Sequence, residues 1–184
     1  ACNGRWPRAR AQRRPPGVAC LAPDLQDPVE VLQRRLVAAA VDDQLEPVEV
    51  AVEGRRVRLT NLDKVLYPAA GFTKAEVVDY YVRVADAMLP HLRDRCVTFR
   101  RFPNGVDGTS FFEKRCPSHR PGWVDTAAGP GDRGGPIQYC LIAERAGLAW
   151  AANLAAPELH TPMARSVDLE SPQMVVFDLD PGAG

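Results

Sequence analysis

The order of apolar and polar residues divides the chain into stretches typical of strands and of helices. From Val48 to Leu59 the pattern alternates around Gly54, which predicts a strand or a hairpin. After Thr73 apolar residues recur at helical spacing, which predicts a helix of four or more turns that Pro90 kinks or ends. The residues that set this spacing are Val77, Tyr81, Val84, Met88 and Leu92.

Capping signals place three helix starts. Thr73 and Glu76 form the capping-box pattern at the head of the long helix, and Asp27-Pro28-Val29-Glu30 forms another that predicts a helix to about Val41. Asn61 is predicted to cap a short helix that Pro68 closes. A further helix is predicted from Glu144 to Asn153.

The remaining segments predict strands and one long loop. Residues 96–114 form two strands joined by a turn at 103–105, and residues 117–136 are rich in Gly and Pro and form a loop. Further strands are predicted at 137–142, 158–161 and 174–180. The pattern predicts an α/β (α+β) fold with a mixed sheet and flanking helices in residues 48–184. Residues 1–47, an Arg- and Pro-rich tail plus one helix, stand outside that fold.

Composition narrows the class of protein. Hydrophobic residues at 46% and charged residues at 25% are typical of a soluble globular protein, and no apolar run is long enough to span a membrane. The five cysteines are odd in number and scattered, which favours reduced thiols in a cytoplasmic protein. The net charge of zero hides a basic excess in residues 54–121 and an acidic excess in residues 122–184. This distribution suits separate sites for phosphates and metal ions, although random surface charge explains it equally well.

Two carboxylates stand near the end of the sequence. On a strand, Asp178 and Asp180 would share one face, roughly 6.6–7 Å apart between Cα atoms. Such a pair can hold one or two divalent ions, the usual arrangement for transferring a nucleotidyl or phosphoryl group. The alternative is a strand end with two exposed acids leading into a turn.

Two helix starts carry lysines. Lys64 follows Asn61, and Lys74 follows Thr73. If the two N-termini converge, their free N–H groups and ammonium groups form a phosphate pocket. The alternative is that both are ordinary caps with solvated lysines.

Basic residues are interleaved with aromatic ones between residues 100 and 115. The pattern is typical of a surface that binds single-stranded nucleic acid, where bases stack and cations follow the backbone. On a strand only one of the paired phenylalanines can face the core, and the other is either exposed or buried under the Gly/Pro loop. The residues concerned are Arg100, Arg101, Phe111, Phe112 and Lys114.

Two histidines carry weaker signals. His160 is isolated in the sequence and is by itself more typical of a structural histidine. Cys116 and His119 have the spacing of half a zinc site, but Cys96 and Cys140 are isolated, so no zinc is expected.

Four stretches in this order resemble the polymerase domain of bacterial DNA ligase D, in the archaeo-eukaryotic primase superfamily. They are LTNLDKVLYPAAGFTKAEVVDYY, RRFPNGVDGTSFFEKR, GLAWAANLAAPELHTP and VVFDLDPG. The resemblance covers residues 48–184, and residues 1–47 have no match. It implies non-homologous end joining, in which a domain bound to a gapped or broken DNA end adds nucleotides to a primer 3′-OH. The implied cofactor is manganese or magnesium, and the implied substrate is a nucleoside triphosphate.

The resemblance also implies roles for single residues. Asp178 and Asp180 correspond to metal ligands, and His160, eighteen residues ahead of Asp178, corresponds to an active-site residue. Phe111 and Phe112 correspond to a template-stacking element. Arg100 and Arg101 lie in a segment similar to a DNA-contacting hairpin. The residues similar to those that recognise the 5′-phosphate are Asn61, Lys64 and Lys74.

One departure from the family affects the expected activity. Family members continue past DLDPG to a Ser-Gly-x-x-Gly-x-His stretch and a third metal-binding Asp, neither of which the printed sequence contains. The sequence therefore predicts the N-terminal part of such a domain, which should not catalyse alone. The alternative is a non-catalytic remnant that binds DNA ends. The expected partners are 5′-phosphorylated DNA ends, a ligase and Ku-type end-joining proteins, in the cytoplasm and nucleoid of a bacterium.

Overall fold

The computed structural model describes residues 47–132, 134–180 and 182, so the tail and the helix predicted before residue 47 lie outside the described residues. The described residues form three helices and eleven short strands. The helices are α1 (Lys74–Arg83), α2 (Ala85–Leu92) and α3 (Arg145–Asn153). The strands are β1 (Val48–Val52), β2 (Arg55–Leu59), β3 (Val65–Tyr67), β4 (Phe72–Thr73), β5 (Thr98–Arg101), β6 (Phe111–Glu113), β7 (Thr126–Pro130), β8 (Pro136–Cys140), β9 (Glu158–His160), β10 (Ala164–Arg165) and β11 (Asp168–Pro172). No helix among them is long and apolar enough to cross a membrane.

The described strands pair only in antiparallel fashion. They form a three-stranded sheet in the order β6-β5-β9 and four hairpins, β1-β2, β3-β4, β7-β8 and β10-β11. The prediction of an α+β fold is confirmed, but the prediction of one mixed sheet is wrong for the described residues. Short connections between consecutive strands allow hairpins, whereas a parallel pair needs a crossover of a dozen residues or more.

The hydrophobic core lies between the helices and the first hairpin. Helix α1 and strand β2 both pack against α3. Phe99 on β5 meets Trp150 on α3 edge to face, with ring centroids 5.9 Å apart. Both side chains are buried, so this contact joins the three-stranded sheet to the helical layer.

The predicted capping box at Thr73 is confirmed. The Thr73 N–H donates to the Glu76 carboxylate at 2.6 Å, and the Glu76 N–H donates to Thr73 Oγ1 at 3.4 Å. The predicted single helix is instead two, because the chain breaks at Val84 (φ −89°, ψ 4°). Pro90 lies inside α2, which ends two residues later at Leu92.

The short helix predicted at Asn61 is wrong. Asn61 has a φ of 50°, and its carbonyl accepts from the Lys64 N–H at 3.2 Å, so the segment is a turn that leads into β3. Asn tolerates this left-handed conformation better than most residues. The turn therefore gives Asn61 a backbone role that its sequence position did not reveal.

The other local predictions had mixed outcomes. Five predicted elements are confirmed: the hairpin at 48–59, the pair of strands within 96–114, the strands observed as β8 and β9, and helix α3. The predicted loop at 117–136 is wrong in part, since β7 occupies 126–130 and pairs with β8. The strand predicted at 174–180 is not formed, because no described strand lies beside it to accept its hydrogen bonds.

The prediction that all cysteines are reduced is also wrong. Cys116 and Cys140 form a disulfide with a Cα–Cα distance of 4.9 Å. Cys96 is a free, buried thiol, and Cys2 and Cys20 lie outside the described residues. The sequence separation of 24 residues gave no sign of the pairing, which depends on β8 lying beside the loop that follows β6.

Candidate functional site

A cavity of about 520 Å³ opens where the turn after β2, the start of α1 and the end of α3 meet. We call it the cationic cavity, because four of its lining residues are Lys or Arg and none of the described lining residues is acidic. Such a cavity attracts anions by charge and by donated hydrogen bonds. Its lining residues are Arg58, Thr60, Asn61, Lys64, Lys74, Arg101, Pro103, His119, Pro121, Trp150, Asn153, Leu154 and Ala155.

Lys74 is the most buried cation of this cavity. Only 5% of the residue is exposed, and its Nζ donates to the Thr60 carbonyl at 2.6 Å. Burial, followed by the positive charges of Lys64 and Arg101, lowers the pKa of Lys74 to about 8. A bound anion would offset both the burial and the repulsion, so the site is built to hold negative charge.

Lys64 and Asn61 reach the same cavity through the turn. The Lys74 N–H donates to the Lys64 carbonyl at 2.8 Å, which fixes the turn against the first residue of α1. The Lys64 Nζ lies 3.4 Å from Asn104 Oδ1, a long contact that leaves its other protons available. The structure thus brings the three predicted phosphate-binding residues together, although around one helix N-terminus rather than two.

The sequence reasoning missed other residues of the cavity. Arg58 is an exposed residue of β2, and His119 comes from the loop after β6. Asn153 holds the wall in place, because its Oδ1 accepts from the Thr60 N–H at 2.9 Å and its Nδ2 donates to the Arg58 carbonyl at 3.1 Å. The alternation on β2 predicts that Arg58 is exposed. Only its contact with Asn153 of α3 shows that Arg58 lies at the cationic cavity.

The edge strand β6 of the neighbouring sheet carries two aromatic rings on its opposite faces, and we call this edge the aromatic surface. Phe111 and Phe112 are both exposed, so the expectation that one of them faces the core is wrong. Strand β6 is the edge of its sheet, and each ring covers the guanidinium opposite it, Arg101 at 5.4 Å and Arg100 at 5.5 Å. Exposed rings held against cations are suited to stacking with bases.

Both arginines of the aromatic surface have hydrogen-bond and ion-pair partners. Arg101 donates from Nε to the Leu154 carbonyl at 2.8 Å and forms an ion pair with Glu113 at 2.9 Å, so it is held in the wall of the cationic cavity. Arg100 donates to Ser110 at 3.2 Å and pairs with Glu158 at 3.1 Å. Both are therefore held in place by partners rather than freely solvated.

His160 lies on β9 beside this surface. Its Nε2 is 3.0 Å from a Glu158 carboxylate oxygen, and its ring meets that of Phe112 edge to face at 5.4 Å. Slight burial of the Glu158 carboxylate acts to raise its pKa. The hydrogen bonds from His160 and Arg100 outweigh this effect and lower the pKa of Glu158. The contacts with Glu158 and Phe112 therefore hold the imidazole beside the aromatic surface.

Lys114 faces a second opening of about 840 Å³, which we call the outer cleft. The cleft lies between residues 112–119 and the tip of the β7-β8 hairpin. Lys114 is paired there with Asp132, and this hydrogen bond raises the pKa of Lys114. His119 lines both openings, so the outer cleft adjoins the cationic cavity.

Asp178 and Asp180 lie in an exposed segment without regular structure. Carboxylates are the correct ligand type for magnesium or manganese, but the described residues contain no group of three or more His, Cys, Asp or Glu side chains able to hold a metal ion. Two exposed carboxylates do not make a complete site. The assignment of both as metal ligands therefore stays a prediction, and no chemical step through a metal is derived from this structure.

These features together define a class of protein. A cavity rich in cations beside exposed rings stacked on arginines, on a small α+β scaffold, is typical of domains that bind the phosphates and bases of nucleic acids.

Comparison with known proteins gives the family within that class. A family model described as "LigD, primase-polymerase domain" matches residues 73–184, more than half of the chain. The chain belongs to the family of LigD primase-polymerase domains. This confirms the resemblance found in the sequence.

Curated relatives agree. The chain is 49% identical over 131 residues to the multifunctional non-homologous end joining protein LigD of Mycolicibacterium smegmatis, covering 70% of the chain and 17% of that protein. It is 31% identical over 126 residues to the bifunctional LigD of Bacillus subtilis, covering 68% of the chain and 20% of that protein. The chain thus spans about a fifth or less of these relatives.

A solved structure gives the same result. The polymerase domain from Mycobacterium tuberculosis ligase D, in complex with DNA, aligns with a TM-score of 0.57 and 44% sequence identity. The alignment covers 70% of this chain and 41% of that one.

Proposed function

We propose that this chain binds broken or gapped DNA by holding the terminal 5′-phosphate in the cationic cavity. The observation that carries the proposal is the convergence of Asn61, Lys64 and Lys74 on one cavity without an acidic lining residue among those described. A terminal phosphate carries between one and two negative charges near pH 7, more than an internal phosphodiester. A cluster of cations therefore favours the terminal group.

Each side chain has a part in this proposal. Lys74 would supply a buried charge at the base, Lys64 an ammonium group at the rim, and the amide of Asn61 a donor from the turn. The first N–H groups of α1 are already paired with the Lys64 and Leu62 carbonyls and with Thr73 Oγ1, so side chains supply the charge and the hydrogen bonds. Arg58 and Arg101 strengthen the positive potential of the wall.

The aromatic surface would hold the second strand. Phe111 and Phe112 offer stacking faces to unpaired bases, and Arg100 and Arg101 supply charge beside them. Lys114 would contact the backbone from the outer cleft. His160, held by Glu158, would orient Phe112 at the edge of this surface.

The whole protein would add nucleotides to a primer 3′-OH during non-homologous end joining. This proposal rests on the family and on the names of the relatives. Manganese or magnesium would supply charge stabilisation of the transferring phosphate when bound, with Asp178 and Asp180 as two of its ligands. Nucleoside triphosphates as substrate, and a ligase and Ku-type end-joining proteins as partners, belong to the same proposal.

The experiment compares two DNA substrates that differ in one group. Fluorescence anisotropy measures binding to gapped DNA with a 5′-phosphate and to the same DNA with a 5′-hydroxyl, for the wild type and for Lys64→Ala. We expect Lys64→Ala to weaken binding of the phosphorylated DNA about tenfold and to change binding of the hydroxyl form about threefold or less. Equal losses on both substrates would reject the phosphate assignment.

The matched control is Arg83→Ala. It also removes one positive charge, but from the exposed end of α1, where Arg83 pairs only with Asp79 among the ion pairs of the described residues. We expect the ratio of the two affinities to stay at the wild-type value.

A non-catalytic module that only binds DNA ends is the second candidate. The observation that favours it is that the cationic cavity is lined by its own cations, and Asp178 and Asp180 are not among its lining residues. It predicts that phosphate-dependent binding persists in a chelator and that manganese supports no primer extension.

A further inference from the structure

The Cys116–Cys140 disulfide fastens the loop that joins the two cavities. Cys116 lies near the start of the segment without regular structure between β6 and β7. We call this segment, residues 114–125, the His119 loop. His119 lines both the cationic cavity and the outer cleft, and Pro121 lines the cationic cavity. The covalent bond therefore lies three residues from a side chain of the proposed phosphate site.

The two ends of the bond are held unequally. Cys140 is fully buried at the end of β8, and its carbonyl accepts from the Val97 N–H at 3.0 Å. Cys116 belongs to the loop, is 7% exposed and lines the outer cleft. When the bond is reduced, the two sulfur atoms separate to a non-bonded distance. We expect Cys116, in the loop, to move more easily than Cys140, in the core.

The middle of the loop, residues 118–122, has few attachments to other elements, whereas Val124 is buried in the core and Trp123 packs against that core. The Cys116 N–H donates to the Gln138 carbonyl at 2.7 Å, and the Asp125 carbonyl accepts from the Leu141 N–H at 2.9 Å. Between these points the hydrogen bonds of the described residues are internal to the loop: Arg120 donates to the Pro117 and Val124 carbonyls, and the Val124 N–H donates to the Pro121 carbonyl. The disulfide is consequently the strongest link at the end of the loop nearest His119.

We propose that Cys116 and Cys140 form a reversible thiol–disulfide switch that sets the position of the His119 loop and thereby the affinity of the cationic cavity for a 5′-phosphate. Disulfides are rare in reducing compartments, and those that do occur there are usually transient or redox-sensing. The oxidised form holds the loop in the arrangement seen here, and the reduced form releases it. The DNA readout of this proposal rests on the proposed function.

The co-reactant is a low-molecular-weight disulfide. The Cys116 thiolate, reached through the outer cleft, attacks one sulfur of that disulfide and releases the first small thiol, leaving a mixed disulfide on Cys116. The Cys140 thiol then loses its proton and attacks Cys116 Sγ, which releases the second small thiol. The two cysteines lose two electrons and two protons, and the small disulfide gains them. An excess of small thiol reverses both steps.

The first measurement follows the switch without DNA. The full chain is reduced with a dithiol or oxidised with a small disulfide, and non-reducing peptide mapping locates the bond among all five cysteines. Limited trypsin digestion then compares cleavage after Lys114 and Arg115, the two tryptic sites of the His119 loop that no proline follows. We expect a Cys116–Cys140 bond and at least threefold slower cleavage in the oxidised protein. Failure to form this bond, or equal cleavage in both states, overturns the proposal.

The second measurement follows the consequence for binding. Anisotropy with gapped DNA compares both redox states on 5′-phosphate and 5′-hydroxyl substrates. We expect the oxidised protein to bind the phosphorylated DNA at least threefold more tightly than the reduced protein, with a smaller change for the hydroxyl form. Equal affinity in both states overturns the control of binding. Absence of any 5′-phosphate preference in either state rejects the proposed function instead, and the trypsin comparison then decides the switch by itself.

Variants assign the response to this pair. Cys116→Ser should bind like the reduced wild type in both redox conditions. The matched control is Cys96→Ser, because Cys96 is also buried and burial raises the pKa of its thiol, which disfavours reaction. It should keep the wild-type response. A redox response that persists in Cys116→Ser, or that disappears in Cys96→Ser while the protein still melts cooperatively, overturns the assignment.

Discussion

The cationic cavity and the segment with Asp178 and Asp180 are two charged regions of opposite construction. The cavity draws its walls from β2, α1, α3 and the loops between them, with Lys74 buried and bonded. The acidic segment is exposed along its whole described length and joins no sheet. One region is enclosed by the described residues themselves, whereas the described residues form no wall around the other. Charged motifs of equal clarity in a sequence can therefore differ in how far the described part of the chain encloses them.

The largest expected effect is on the free energy of unfolding. A substitution in the core beside the cationic cavity should lower it far more than a substitution in the acidic segment. Phe99→Ala removes a ring that is 1% exposed and packed on Trp150, so we expect a loss of about 3–5 kcal/mol in the free energy of unfolding. Phe177→Ala removes a ring that is 80% exposed, so we expect a change within about 0.5 kcal/mol. Urea denaturation of both variants measures the difference. A large loss for Phe177→Ala would show that residues 174–180 are packed after all.

The second effect concerns the buried charge. Lys74→Met keeps much of the aliphatic stem and removes the ammonium group, so we expect binding of 5′-phosphorylated DNA to weaken about tenfold or more. The melting temperature should hold or rise, because burial of this charge is unfavourable in the free protein. Anisotropy and a thermal melt measure the two quantities. Unchanged phosphate preference would remove Lys74 from the site.

The third effect is a pH dependence specific to the cavity. Because the pKa of Lys74 is about 8, its ammonium group loses its proton as the pH rises through that value, and phosphate preference should fall severalfold between pH 7 and pH 9. The sign for stability is opposite. Between about pH 8 and 10.5 the unfolded chain binds more protons than the folded chain, so this group makes the free energy of unfolding rise with pH.

Lys74→Met supplies the control for that pH dependence. It should show a flatter pH profile of phosphate preference, because the titrating group is gone. A profile as steep as that of the wild type would assign the effect to another group.

The smallest effect is expected from the acidic segment. Asp178→Asn should change the affinity for 5′-phosphorylated gapped DNA less than twofold, and a chelator should have a similarly small effect, since the proposed phosphate site is lined by its own cations and not by Asp178. Titration of the DNA with and without chelator makes the measurement. A tenfold loss in either case would join the two regions into one metal-dependent site.

Local signals in the sequence predicted much of the fold. The capping box at Thr73, the hairpin at residues 48–59 and helix α3 follow from contacts between residues a few positions apart. The break at Val84 and the turn at Asn61 were mispredicted, because the local pattern reveals neither the non-helical ψ of Val84 nor the positive φ of Asn61. The strand at 174–180 was mispredicted because a strand needs a neighbour.

The sequence by itself determined the family, through four ordered motifs, and the three residues predicted to bind a phosphate. Only the tertiary structure decided that Arg58 and His119 line the same cavity as those three, that both Phe111 and Phe112 face outward, and that Cys116 meets Cys140. The physical reason is distance along the chain. Motifs and caps are written in neighbouring residues, whereas a cavity wall or a disulfide depends on elements that meet only when the core packs.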